Sequence, residues 1–185
     1  MTDPLALDPS TFDAGPLAAV SSEEHADGTW TVTFVRELAH PPERVWAALV
    51  RADDLPRWAP FETDRDLDTP GPATLTMVDG NLREAMTSDV RAVEAPTRLE
   101  YTWGDDVLVW ELSPTPAGTQ LTLRHTVQGK DWMPKVAAGW HLCLVVADHV
   151  LAGDAVQPIV GQDAMRYGWQ DLHDQYASRL GVENA

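Results

Sequence analysis

Residues Pro134–Leu151 read PKVAAGWHLCLVVADHVL. A proline in the first helical turn leaves no hydrogen bond unmade, because the leading N–H groups of a helix have no partner within it. Trp140, Leu144, Ala147 and Leu151 then fall at i, i+4, i+7 and i+11, and Val136, Cys143 and Val150 widen the stripe. The spacing predicts a helix, and an apolar face this broad needs a concave partner.

Upstream the chain supplies one. Strand-like runs occupy 62–67, 73–78, 83–94, 98–103, 107–112 and 120–127. Leu99/Tyr101/Trp103, Leu108/Trp110/Leu112 and Leu121/Leu123/His125/Val127 alternate as strands with one face on a core do. Turn residues separate the runs, among them Thr69-Pro70-Gly71-Pro72, Asp79-Gly80-Asn81 and Gly104-Asp105-Asp106. Short strands joined by tight turns predict an antiparallel meander. Two earlier runs, 16–25 and 29–38, flank Asp27-Gly28, a hairpin signal. His40-Pro41-Pro42 then ends the strand and opens a short helix over 43–50, with a second helical turn over 53–58.

Residues 1–15, rich in Asp and Pro, read as a flexible arm. The domain proper is expected over 16–153. A linker and an appended helix over 163–180 follow within 154–185, packing on the same domain. The stripe Met165, Trp169, Leu172, Tyr176 and Leu180 must be covered, by the chain's own sheet or in a homodimer.

Lys plus Arg is 13 against 29 Asp plus Glu, a net charge of −16. Such a surface repels polyanions and anionic lipid, so neither nucleic acid nor a membrane is an expected partner. The longest nearly apolar stretch, Leu142–Ala147, is short for a membrane span. One cysteine, Cys143, permits no intrachain disulfide. The opening residues carry no basic segment followed by an apolar core, and the expected location is cytoplasmic.

The order of strand, two short helices, antiparallel strands and a long helix resembles the START-like superfamily, also called SRPBCC. The blocks Pro41-Pro42-Glu43-Arg44-Val45-Trp46 and Gly139-Trp140-His141-Leu142-Cys143-Leu144 carry a closer resemblance. With Trp58-Ala59-Pro60-Phe61, Leu99–Asp106 (LEYTWGDD) and Thr119–His125, they are similar to the branch named after the heat-shock protein 90 ATPase activator homologue (AHSA1-like). The resemblance runs from about residue 17 to 181. It implies an α+β helix-grip (START/Bet v 1-like) fold, a curved antiparallel sheet wrapped on the C-terminal helix around an elongated cavity. Relatives of this kind bind hydrophobic molecules, some catalyse cyclisation or hydrolysis, and the eponymous activator engages a chaperone.

No phosphate-binding glycine loop, dinucleotide fingerprint, G-x-S-x-G elbow, H-E-x-x-H or C-x-x-C occurs. His141, at the edge of the helix stripe, and His125, on the core parity of its strand, are candidates for a general base or a ligand anchor, or are satisfied core histidines. Arg36 shares the parity of Val32, Phe34 and Leu38 and could clamp a carboxylate, or close a salt bridge at the sheet edge. Trp46, Trp58, Trp103, Trp110, Trp140 and Leu144 are candidates for an apolar cavity wall, with ordinary core packing as the alternative. His125, His141, His149 and His173 match no metal-ligand spacing, and no metal or cofactor is expected. Three functions stay open: a binding protein for a small hydrophobic molecule, an enzyme on the same cavity with a histidine base, and a chaperone-regulator-like interaction module.

Overall fold

The computed structural model describes residues 5–182. Eight strands form one antiparallel sheet: β1 (Ala19–Glu24), β2 (Trp30–Leu38), β3 (Phe61–Thr63), β4 (Gly71–Asp79), β5 (Leu82–Glu94), β6 (Arg98–Trp103), β7 (Asp106–Thr115) and β8 (Gly118–Val127). Their order across the sheet is β1-β2-β8-β7-β6-β5-β4-β3. The last strand thus pairs with the second, and helix α1 (Pro42–Val50) carries the chain across to the far edge. β5 slips register between Val90 and Ala92, a bulge of the kind that increases local twist and bends a long strand.

Alternation along the strands sets the concave face. Phe34 and Leu38 of β2, Leu99 and Tyr101 of β6, Leu108, Trp110 and Leu112 of β7 and Leu121 and Leu123 of β8 are all buried in one core. Against them lies α2 (Met133–Ala152). Its burial exceeds the stripe the sequence shows, because α3 (Trp169–Leu180) covers a second side. The run Lys130–Ala152 is in fact long and apolar enough to cross a membrane by length and composition, although the local LCLVVA stretch is not. In this fold it is the central core helix, with Leu142, Leu144 and Val146 buried.

The final helix is shorter than its periodicity predicts. A 3-10 segment covers Gly161–Tyr167, and Gly168, at φ 82°, turns the backbone before α3 begins. Left-handed backbone ends a helical run, and glycine carries it without steric cost. Met165 is therefore off the α3 stripe and 54% exposed, whereas Leu172 and Tyr176 are buried in the same core as α2. The α3 stripe is covered within the chain, by α2 and by the sheet edge at β1 and β2, where Phe34 meets Tyr176 at 6.0 Å.

Composition reads the N-terminus as a loose arm. Residues 1–4 lie outside the described residues; residues 5–15 run along the helical side of the domain. Leu5 pairs by backbone with Val156, Tyr167 donates its hydroxyl to Leu7 O at 2.8 Å, and Phe12 meets the Tyr167 ring edge-on at 5.2 Å. Main-chain carbonyls make most of these anchors, and composition carries no trace of them.

Candidate functional site

Four tryptophans converge beneath α2. Trp110 and Trp140 meet at right angles with centroids 5.1 Å apart, Trp58 and Trp110 at 6.0 Å, and Trp103 and Trp140 at 5.4 Å. Edge-to-face pairs set the positive ring edge against the negative face of the next. Each indole N–H finds an acceptor: Ala48 O for Trp58 (2.9 Å), Tyr101 Oη for Trp110 (3.1 Å), His125 Nδ1 for Trp140 (3.0 Å) and Met77 Sδ for Trp103 (3.0 Å). Burial pushes the Tyr101 phenol up, so it stays protonated.

The His125 contact fixes a tautomer. An indole N–H only donates, so His125 Nδ1 accepts from it, and the ring proton sits on Nε2, which donates to Asp106 Oδ2 at 2.9 Å. Trp103 stacks on the same imidazole at 5.6 Å. The ring is 2% exposed and has no free lone pair. As arranged, it orients Trp140 and Trp103 rather than meeting a substrate.

His141 is fully buried and equally satisfied. Its Nε2–H donates to Ala14 O at 2.8 Å, and its Nδ1 accepts from Tyr176 Oη at 2.7 Å, which in turn accepts from Ala18 N–H at 3.0 Å. This relay ties the segment before β1 to α2 and α3. Burial, with the Arg36 charge adding to it, lowers the His141 pKa and keeps the imidazole neutral. Burial also raises the Tyr176 phenol to about 12.

A pH prediction follows from the His141 shift. The unfolded imidazole protonates near pH 6.5 and the folded one only below that, so between the two the unfolded chain binds more protons. Stability is therefore retained above about pH 6.5 and falls as the pH drops through that value. Melting temperatures from pH 7.5 to 5.5 should decline on the acid side in the wild type. The slope should be shallower in His141→Gln; equal slopes would remove the assignment.

The core beneath α2 is filled, so the elongated central cavity expected between sheet and helix is not where Trp58, Trp110 and Leu144 lie. Trp58 and Trp110 are each 1% exposed, and Leu144 and Trp46 are also buried in packed surroundings. Arg36 stands half-buried between Phe34 and Leu38; burial lowers its pKa while the Asp148 charge opposes that shift. Asp148 itself binds His40 at 3.1 Å. None of Arg36, Trp46, Trp58, Trp110, His125, His141 or Leu144 borders the groove formed by α2, β6 and residues 159–164.

That groove is open and lies beside this core. It holds about 460 Å³ between one face of α2, the ends of β4 and β6, and residues 159–164. Trp132, which caps the start of α2, and Val136, Gly139 and Cys143 of α2 face it at i, i+4, i+7 and i+11. Trp103 and Trp140 form its inner wall, Trp169 and Ile159 the opposite side, and Lys135 its charged rim. Of the expected ligand-binding residues, the structure brings Trp103 and Trp140 to this space. Sequence reading missed Trp132, Trp169 and Gly139. Trp132 precedes the apolar period and Trp169 was assigned to a stripe, but a glycine at mid-helix was a usable signal, since it costs about 1 kcal/mol against alanine.

Gly139 leaves open space: a Cβ built there has nothing within 4 Å. Gly161 is the reverse. A Cβ there would fall on the Asp79 carboxylate, whose Oδ1 accepts from Gln162 N–H at 3.1 Å, so the 159–164 wall is held close to the β4–β5 hairpin. Cys143 is buried and its thiol pushed up to about 12, which keeps it from acting as a nucleophile. Among the described residues no cluster of three or more His, Cys, Asp or Glu could hold a metal ion.

A curved antiparallel sheet gripping a long helix, with a tryptophan-lined groove at the helix face, defines a helix-grip protein. The family model for Activator of Hsp90 ATPase homolog 1-like protein matches residues 39–151, more than half of the chain. The chain belongs to that family. Among solved structures it is similar to the conserved protein of unknown function EF2215 from Enterococcus faecalis, at 18% identity and TM-score 0.66, covering 89% of this chain and 92% of that one. CalU16 from Micromonospora echinospora is similar at 20% identity and TM-score 0.63, over 87% of this chain and 95% of that one. A Bordetella parapertussis protein encoded by BPP1335 shares 23% identity at TM-score 0.63, over 94% and 97%. These likenesses speak to the fold. The search of curated proteins gives no match.

Proposed function

We propose that this chain is a cytoplasmic binding protein for a small hydrophobic molecule, held in the groove between α2, β6 and residues 159–164. The observation that carries this reading is Gly139. A helix buried this deeply forgoes a side chain at a position where a Cβ would border the groove and touch nothing within 4 Å. The tryptophan walls suit an apolar or aromatic guest, and burial of its surface drives binding at about 25 cal/mol per Å² before ordering costs.

Gly139→Leu tests it. The substitution fills the groove and raises helix propensity, so the melting temperature should hold or rise. Affinity for a neutral apolar fluorophore, pyrenebutanol, should fall about tenfold or more. Unchanged affinity in the variant would overturn the reading.

A second reading, a chaperone-regulator-like module, draws on the family's description and the acidic surface. It predicts salt-sensitive capture of a basic partner that Gly139→Leu leaves intact. An enzyme with a histidine base finds less support, since both nitrogens of His125 and of His141 are engaged inside the protein.

A further inference from the structure

The side chains lining the groove offer donors and no strong acceptors. Trp103 and Trp140 spend their N–H groups inside the protein, on Met77 and His125. The indole N–H groups of Trp132 and Trp169 and the ammonium of Lys135 have no hydrogen-bond partner among the described residues. No carboxylate, hydroxyl or side-chain amide lines the space. A guest whose polar end donates would find no side chain to receive it, and one whose polar end accepts would find three donors.

Charge points the same way. The chain has 29 acidic residues and two lysines, Lys130 and Lys135. Both ammonium groups rest over indoles, Lys130 at 5.8 Å from the Trp30 ring centroid and Lys135 at 4.5 Å from that of Trp132. Neither forms an ion pair among the described residues. Lys135 is also the one charged side chain in the groove lining. A cation kept free of carboxylates in so acidic a chain, at the rim of an aromatic space, is a complement for an anion.

We propose that the groove takes a flat aromatic or polycyclic molecule bearing one anionic acceptor group, such as a carboxylate or phenolate. Its rings lie among Trp103, Trp140 and Trp169, and its anion meets Lys135 at the mouth. The rest of the acidic surface disfavours multiply charged guests, so one negative charge is the expected number. This inference rests on the small-molecule reading and adds to it the chemistry of the guest.

The test titrates pyrenebutyrate and pyrenebutanol, which share rings and differ in charge, into wild type, Lys135→Met, Lys130→Met and Gly139→Leu. Methionine keeps an unbranched apolar stem where lysine stood. In Lys135→Met the affinity for the acid relative to the alcohol should fall about three- to tenfold. Lys130→Met removes the same charge outside the groove and should leave the ratio as in wild type. A ratio unmoved by Lys135→Met, or moved equally by Lys130→Met, overturns the anionic guest while leaving the groove as a binding site. If neither probe binds wild type, or Gly139→Leu weakens neither, the small-molecule reading itself fails and the inference with it.

Discussion

Trp58→Ala is expected to lower the unfolding free energy by about 3–5 kcal/mol, to be read by urea denaturation. Trp58 is 1% exposed and meets Trp110 edge-on at 6.0 Å and Trp140 at 6.4 Å. Its removal costs the burial of a large ring and leaves a void that neighbours held by their own hydrogen bonds are slow to fill, because Trp110 is tied to Tyr101 and Trp140 to His125. The Ala48 carbonyl also loses its indole donor. Were Trp58 a ligand wall instead, truncation would cost little stability and much affinity. A loss below about 1 kcal/mol with abolished probe binding would therefore reassign it.

His141→Ala is expected to cost about 2–4 kcal/mol, from the cavity and from stranded partners together. Ala14 O loses its donor and Tyr176 Oη its acceptor, both in the interior joint between the segment before β1 and the two helices. Tyr176→Phe breaks the same relay from the other side, leaving Ala18 N–H and His141 Nδ1 unpaired, at about 1–3 kcal/mol. The two losses should be less than additive, since each removes the shared hydrogen bond. Limited proteolysis between Asp13 and Leu17 should quicken in both variants. A His141→Ala protein of wild-type stability that no longer binds pyrenebutanol would instead make this histidine part of a binding site.

The fold was legible because its signals are periodic. The strand alternation at Leu99/Tyr101/Trp103 and at Leu121/Leu123/His125/Val127, and the helical recurrence from Trp140 to Leu151, each report which face is buried. Turn residues placed most strand boundaries within a few positions. Gly168 was the exception: periodicity ran across it, and one residue in the left-handed region cut the final helix. Periodicity weighs side chains and is blind to a single backbone angle.

The candidate site was less legible. The sequence could state that Trp103 and Trp140 point to the same side as the core, and both do reach the groove. It could not separate them from Trp58 and Trp110, which have the same chemistry but do not reach the groove. Nor could it tell that His125 and His141 would have both nitrogens occupied, since Asp106, Ala14 and Tyr176 reach them across loops and helices.

By itself, the sequence determined the class of architecture, its sheet of short antiparallel strands and its central helix, because each element's pattern records its own burial. The tertiary structure alone decided where space remains. Whether a tryptophan is packing or wall depends on what stands opposite it, and that is set by the angle at which α2, α3 and the 159–164 segment meet rather than by any residue's own character.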